Sequence, residues 1–596
     1  MNNAHVVDTR TAQSVTTLPA HPDDARMSAS IDPPSEVHMP PGTRRTPPPR
    51  PVPAARSRQF IQAAWAILAL AVAMRLPELT SRSFWTDEAY SFWFSSLSWH
   101  DLWQVMPQYE THPPFYYSAL KLWMGLTGSS EGAMRALSVI ASIATVAIAT
   151  HAPRWIKPGP RAEYIGLIAG ALLAINAGSL EYAQQARPYA LQGLSCTAML
   201  LLSCLYLQRL FAFQTAFDPA APHDADTGGA FAASAPSTTV PLSTRRANTL
   251  LLWLGLGGCA GITLWLHNTS PVIIMANWLA MGVVIVFFGA GRRLPLLMAV
   301  IKPLLLALAL WAPCIPILLE ESRTVHSAFW AEVSPAMLSW PLTLSAGGRA
   351  ATIPVLLLLV FGVVRLYQKG RTWATLTVYA IIALFLPMTL LFVVSYLFKP
   401  VFVTRTMAWM TTPVMVLVAC GIGLMPGRAW RRHAILAVVV LLSLVGVRAY
   451  FLMPTEDLRK IEQTLVQQVR KDDLLLIYPN EVAVGINYYT HRFQDNLPAV
   501  QIPADYPALN MPRDYLSSNK GEPAVIPSDI PRIKAMMAGH ETVWLARRTA
   551  VEKGHPDLVR EALIAERGQP VKTWHFGSID ILRFDANKND LAGIAK

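Results

Sequence analysis

The stretch Ser83–Phe94, SFWTDEAYSFWF, sets two adjacent carboxylates, Asp87 and Glu88, among aromatic side chains, just after the first long apolar run of the chain. A carboxylate held at a membrane surface can take a proton from a hydroxyl as a general base. The plainer reading is local: Thr86 caps a short helix whose first turn holds both acids, since acids favour helix N-termini. Against capping alone stand Trp85, Phe92, Trp93, Phe94, Trp99 and Trp103. Amphipathic rings in such number belong to helices lying in a membrane interface.

Three further stretches offer groups that suit an anion. In ETHPPFYY (110–117), His112 is either a polar interface residue ahead of a proline-opened helix or a ligand for a phosphate or substrate hydroxyl. Tyr116 of the same stretch joins it as a substrate-binding candidate. In EYAQQARPYAL (181–191), Arg187 is either a snorkelling side chain at a helix end or a phosphate clamp. A planar guanidinium suits the second role, and Gln184 stands beside it as a further substrate-binding candidate. In FKPVFVTRTMAW (398–409), Lys399 and Arg405 repeat the pattern of cations at a span mouth. His267 and Arg323 are weaker candidates.

The elements that must position these groups are membrane spans. The chain has 596 residues, 53% hydrophobic and 15% charged, against about 25% charged in soluble domains. Its repeated apolar runs of roughly 17–25 residues match the length needed to cross a bilayer. Spans are expected near 59–77, 133–151, 162–178, 189–211, 247–266, 271–290, 295–318, 351–367, 373–397, 404–424 and 433–453. The short run 114–127 decides the side of every later loop. With the tail inside and 114–127 along the outer interface, RWIKPGPR, QRL…STRR, GRR, RLYQKGR and PGRAWRRH all fall inside. Each is basic, as the positive-inside rule requires. The expectation is therefore eleven spans in a plasma (inner) membrane, with a cytoplasmic N-terminus and an extracytoplasmic C-terminal region. No charged-apolar-cleavage pattern opens the chain, so no cleaved signal peptide is expected. The net charge of +12 follows the loops that punctuate the spans, so no nucleic-acid partner is expected.

Residues 1–57, rich in Pro, Ser, Thr and Arg, read as a disordered cytoplasmic tail, and 212–246 as a flexible cytoplasmic insert. Residues 58–453 form the membrane domain. Residues 454–596 read as a small extracytoplasmic α/β domain. There Leu458, Ile461, Leu465 and Val469 recur at helical spacing behind Thr455, Glu456 and Asp457. DLLLIYP, TVWLAR and IDILRF read as strands, and PDLVREALIAERG as a helix closed by Gly568. No nucleotide or metal fingerprint is visible in this domain. The cysteines (196, 204, 259, 314 and 420) lie in apolar runs, away from CxxC pairs and histidines, and read as buried small hydrophobes. The fold class is mainly α: a polytopic helical membrane bundle with a C-terminal α/β domain.

Taken in order, these residues resemble glycosyltransferase family 39, the lipid-linked-sugar transferases of GT-C fold that include protein O-mannosyltransferases and lipid A aminoarabinose transferases. The likeness rests on Arg75 ending the first span, WTDEAYS (85–91), HPPFYY (112–117), SSEGAMRALS (129–138), YAQQARPYAL (182–191) and PVFVTR (400–405), and covers about 60–425. FWAEVSP (329–335) matches the family's Trp-Pro-rich outer loop only loosely. The resemblance implies a GT-C bundle with interfacial helices and a catalytic acid in the first outer loop. It implies a sugar on a polyprenyl phosphate as donor. By position it makes Asp87 the base and Glu88 its motif partner, and sets His112, Arg187 and Arg405 on the donor-phosphate side. One position departs: the family usually has Glu where this chain has Gln185. The sequence shows no required cofactor, and no metal is predicted.

The expected reaction is inverting transfer, on the extracytoplasmic face, from the lipid-linked sugar to an envelope glycolipid, glycan or protein. Membrane lipid is the other expected partner. The alternative is a polytopic transporter of lipid-linked or envelope precursors. Against it, the apolar runs carry no mid-span carboxylates and no clear internal repeat.

Overall fold

The computed structural model describes residues 54–216, 242–289, 291–324, 333–398, 401–513, 516, 521–549 and 556–586. The expected tail up to residue 53, residues 217–241 of the expected insert, Lys399 and the side chain of Arg323 lie outside the described residues.

Among the described residues, nine helices are long and apolar enough to cross a membrane, or ten if one bent pair counts as a single span. These ten fall on ten of the eleven expected runs, and α1 (Ala54–Arg75) covers the remaining one. The chain is a multi-pass membrane protein. Two shorter helices follow α1: α2 (Thr86–Ser96) and α3 (Pro114–Thr127). At 14 residues, α3 falls short of the roughly 20 that a crossing helix needs. Next come α4 (Glu131–Ile156), α5 (Pro160–Ala174), α6 (Ala177–Ala183) and α7 (Tyr189–Ala216).

The run expected as a span over 162–178 is α5 and α6, bent by 60°. Asn176 makes the break. Its Oδ1 accepts the Ser179 N–H at 2.9 Å and caps α6, while its amide donates to the Ser345 carbonyl at 2.9 Å. The carbonyl end of α5 is then met by Arg75, buried at the end of α1. Its guanidinium donates to the Ala174 carbonyl at 3.1 Å, to Ser179 Oγ at 3.0 Å and to Ser142 Oγ at 2.9 Å. One cation thus ties α1 to α4, α5 and α6, at a helix end where positive charge is favourable. Deeper in the bundle, helices Arg349–Tyr367 and Thr411–Gly423 touch backbone to backbone. A Cβ on Gly362 would stand 2.3 Å from the Leu417 carbonyl oxygen, so only a residue without a side chain fits there.

Behind the bundle the chain forms a five-stranded mixed sheet of order β2-β1-β3-β5-β4. Its strands are β1 (Leu474–Tyr478), β2 (Ala499–Gln501), β3 (Thr542–Arg548), β4 (Lys572–Phe576) and β5 (Ile579–Asp585). β1 pairs in parallel with β2 and β3, and β5 runs antiparallel to β3 and β4. β1 is buried along its whole length, as suits a parallel strand covered on both faces. Asp457 caps helix Leu458–Gln468 by accepting the Lys460 N–H at 3.1 Å. Gly568, with φ 79°, closes helix Leu558–Arg567. The sheet elements do not keep a core of their own on the side facing α2. Leu458, Ile461, Tyr488 and Trp544 share one apolar cluster with Phe84, Phe94, Tyr109 and Tyr117 of the first outer segment.

Candidate functional site

α2 is set in place from both sides. On one side Glu88 is only 1% exposed and pairs with Arg135 of α4. Arg135 Nη2 donates to Glu88 Oε2 at 2.6 Å and its Nε to Oε1 at 2.7 Å, and Oε1 also accepts the Ala186 N–H at 2.9 Å. The rest of the Arg135 fork donates to the carbonyls of Leu79, Arg82 and Ser83 at 2.8–3.0 Å. A two-pronged pair of this kind fixes geometry as well as charge. Both Glu88 oxygens are therefore engaged in holding α2 to α4 and to the strap before α7.

On the other side, the expected Thr86 cap is replaced by a contact from the C-terminal elements. Trp85 is the residue before the helix and provides no side-chain cap. The Thr86 N–H and hydroxyl both donate to Glu456 Oε2, at 2.9 and 2.6 Å. An acid at a helix start is favourable, and here it arrives from the far end of the chain. Arg548 joins the contact by donating to Glu481 Oε1 at 2.6 Å and to Glu456 Oε1 at 3.3 Å. Tyr90 donates to Glu522 Oε1 at 2.6 Å. Replacing Arg548 by Met leaves Glu456 and Glu481 without their shared cation. We expect a loss of about 1–3 kcal/mol, read as a lower unfolding midpoint and earlier proteolytic release of the C-terminal elements, with Arg548→Lys recovering part of it.

Held this way, Asp87 faces two cations. Arg405 Nη1 lies 2.8 Å from Asp87 Oδ2, and Arg187 Nη2 lies 3.8 Å from the same oxygen. Oδ1 has no hydrogen-bond partner among the described residues, and the side chain keeps 22% exposure. Burial alone would raise the Asp87 carboxyl, but Arg405, then Arg187, outweigh it and hold it below the ordinary carboxylate value.

Arg187 is buried at 3% exposure. Its Nη1 donates to the Asp87 carbonyl at 3.1 Å and its Nη2 stands 3.5 Å from His112 Nε2. Its Nε is buried with no hydrogen-bond partner among the described residues. His112 leans its Nδ1 on Glu110 and its ring edge on His267, with centroids 5.0 Å apart. Burial pushes His112 below its ordinary value, against the pull of Glu110. A neutral ring with its proton on Nδ1 toward Glu110 would leave Nε2 as an acceptor toward Arg187.

The remaining candidates fall in different places. Tyr116 is buried in the aromatic cluster of α3. Gln184 braces the backbone: its amide donates to the carbonyls of Arg75 and Pro77 at 3.0 and 2.6 Å, and its Oε1 accepts the Tyr450 hydroxyl at 2.9 Å. Asp87, His112, Arg187 and Arg405 come together. Sequence reasoning passed over Glu110, Arg135, Glu456 and Arg548. Glu110 stands two residues before His112 and Arg135 lies within SSEGAMRALS, so both carried a local signal. Glu456 was read only as an acid at the start of helix Leu458–Gln468, and Arg548 carried no signal.

No family model matches the sequence, and no curated protein matches it. Among solved structures, ArnT from Cupriavidus metallidurans in the apo state superposes with a TM-score of 0.56 at 11% identity, over 89% of this chain and 98% of that one. The same protein bound to undecaprenyl phosphate superposes with a TM-score of 0.51, at the same 11% identity and the same coverage. So low an identity over nearly the full length of both chains is a likeness of fold: this chain has the membrane fold seen in ArnT.

Proposed function

We propose that the chain is an integral-membrane glycosyltransferase that moves a sugar from a polyprenyl-phosphate donor to an envelope acceptor on the extracytoplasmic face, with inversion. The observation that carries this reading is Asp87, with one oxygen open and the other held by Arg405 and Arg187. The donor class draws support from the shared fold, since ArnT has been crystallised with undecaprenyl phosphate. The side of the membrane draws support from the basic loops. The acceptor is a glycolipid, glycan or protein hydroxyl.

In the proposed step the acceptor hydroxyl hydrogen-bonds to Asp87 Oδ1 and gives up its proton there as its oxygen attacks the anomeric carbon. The bond from that carbon to the phosphate oxygen breaks, and polyprenyl phosphate leaves with the electron pair. Arg405 and Arg187 stabilise the charge that develops on the leaving phosphate. His112, backed by Glu110, holds the Arg187 guanidinium in plane. A single displacement inverts the anomeric centre. The steps route through no metal.

This assignment gives the arginines two partners in turn. While they sit on Asp87 its carboxylate is a weak base. A donor phosphate competes for them, and Asp87 then gains basicity where the hydroxyl arrives. The acid limb of kcat/KM reports the base in the free enzyme. Asp87 is held below the ordinary carboxylate value, so the limb lies at lower pH than that of an unperturbed carboxylate. Arg405→Gln removes the largest favourable charge, so the Asp87 pKa rises and the limb moves to higher pH. An unmoved limb would separate Asp87 from the titrating base.

The overall test uses the purified full chain in detergent with radiolabelled lipid-linked sugars and envelope extract. Label passing to an acceptor with release of polyprenyl phosphate is the expected result. A folded protein that consumes none of these donors, yet moves them between compartments in sealed vesicles, would be a transporter.

A further inference from the structure

A cavity of about 580 Å³ lies among α4, α5, α7 and helices Arg349–Tyr367, Arg371–Leu397 and Thr411–Gly423. None of the groups around Asp87 lines it. Its walls are apolar, with Ile148, Leu200, Leu384 and Val416 as examples, and no carboxylate lines it. At one end it reaches the turn between α4 and α5 and the turn before Arg371, where Lys157, Arg161 and Lys369 form the rim. From that rim to Ile148 the α4 wall runs nine residues, roughly 13 Å of helix. These turns are the RWIKPGPR and RLYQKGR loops that the positive-inside pattern assigns to the cytosol.

Basic loops alone are an ordinary mark of topology. An apolar cavity of this volume opening beneath three of those cations is not. Hydrocarbon, unlike water, is stable against such walls. The cations stand near enough to repel one another. Partial burial, then Arg161 and Lys157, pull the Lys369 ammonium below its ordinary value. A phosphate at the rim would relieve that repulsion while its chain filled the space behind. Basic pockets between helices at the cytosolic side are where anionic headgroups bind. The arginines suited to a donor phosphate, Arg187 and Arg405, belong to the Asp87 site and not to this rim.

We propose that this cavity binds an anionic glycerophospholipid of the inner leaflet, with its phosphate against Lys157, Arg161 and Lys369 and one acyl chain between α7 and helix Arg371–Leu397. The test is native mass spectrometry of the purified full chain, offered equal amounts of palmitoyl-oleoyl phosphatidylglycerol and phosphatidylcholine. One retained phosphatidylglycerol is expected, preferred on the order of tenfold or more. The K157Q/R161Q/K369Q variant should lose that preference. Ala380→Trp, which fills the cavity, should lower retention of both lipids. The triple variant alters only exposed side chains, two in turns and Arg161 in the first turn of α5, so it tests the headgroup contact even where the tryptophan disturbs packing. Equal retention of the two headgroups, or an unchanged preference in the triple variant, would overturn the proposal. So would one-for-one displacement of the retained lipid by undecaprenyl phosphate, which would give the cavity to the donor's chain.

Discussion

An Asp87→Asn protein should insert and fold normally yet transfer sugar about 10²–10⁴ times more slowly, the usual worth of a positioned general base. Asparagine has nearly the same shape, and its carbonyl oxygen can still accept from Arg405, whose Nη1 now lies 2.8 Å from the carboxylate. What it lacks is an oxygen basic enough to keep a proton. The loss should therefore fall on the chemical step, with donor affinity no weaker than in the parent, since the neutral side chain competes less for Arg405 and Arg187. Initial rates over a range of lipid-linked sugar concentrations separate the two, and a variant with full kcat would remove Asp87 from the mechanism. Glu88→Gln provides the contrast. Its carboxylate is committed to Arg135 and the Ala186 N–H, so its effect should follow stability before rate.

The second large effect is on folding. Arg135→Met leaves Glu88 as a buried charge, in a pair whose side chains are 2% and 1% exposed. Removing one member of such a pair costs about 3–5 kcal/mol, chiefly because the partner is stranded away from water. We expect little monodisperse protein in detergent and a sharply lower unfolding midpoint. The double variant with Glu88→Gln should recover most of the loss, since no charge is then left unpaired. If Arg135→Met alone matches the parent in its unfolding midpoint, the pair is not what anchors α2. The pair also bears on chemistry. Neighbouring residues of an α-helix project about 100° apart. Fixing Glu88 against α4 therefore fixes the turn of α2 that presents Asp87 to Arg405 and Arg187.

Several expectations needed only the order of residues. The spans were legible because crossing a bilayer demands a length of apolar chain, and length is a property of sequence alone. Strand β1 was legible for a related reason: a strand buried on both faces is a continuous apolar run, while β3 and β5 showed as short stretches rich in β-branched and aromatic residues. Strand β2 has three residues and β4, KTWHF, is mostly exposed, so neither leaves such a run. The run over 162–178 is mostly apolar, and hydropathy has no term for the side-chain hydrogen bonds by which Asn176 bends it.

The sequence by itself thus determined a multi-pass helical membrane protein, strands and helices near the C-terminus, and a short roster of acids and cations near Asp87. Only the tertiary structure decided their division of labour. Asp87 and Glu88 are equivalent as letters, and a rotation along one helix sends one to two arginines and the other to a buried pair. Gln184 and Arg187 share one motif, yet the first braces backbone carbonyls while the second faces the carboxylate. Thr86 meets Glu456 and Arg548 across 370 and 462 residues of chain. Contacts of that range arise from packing of whole elements, which local patterns of apolar and polar residues do not encode.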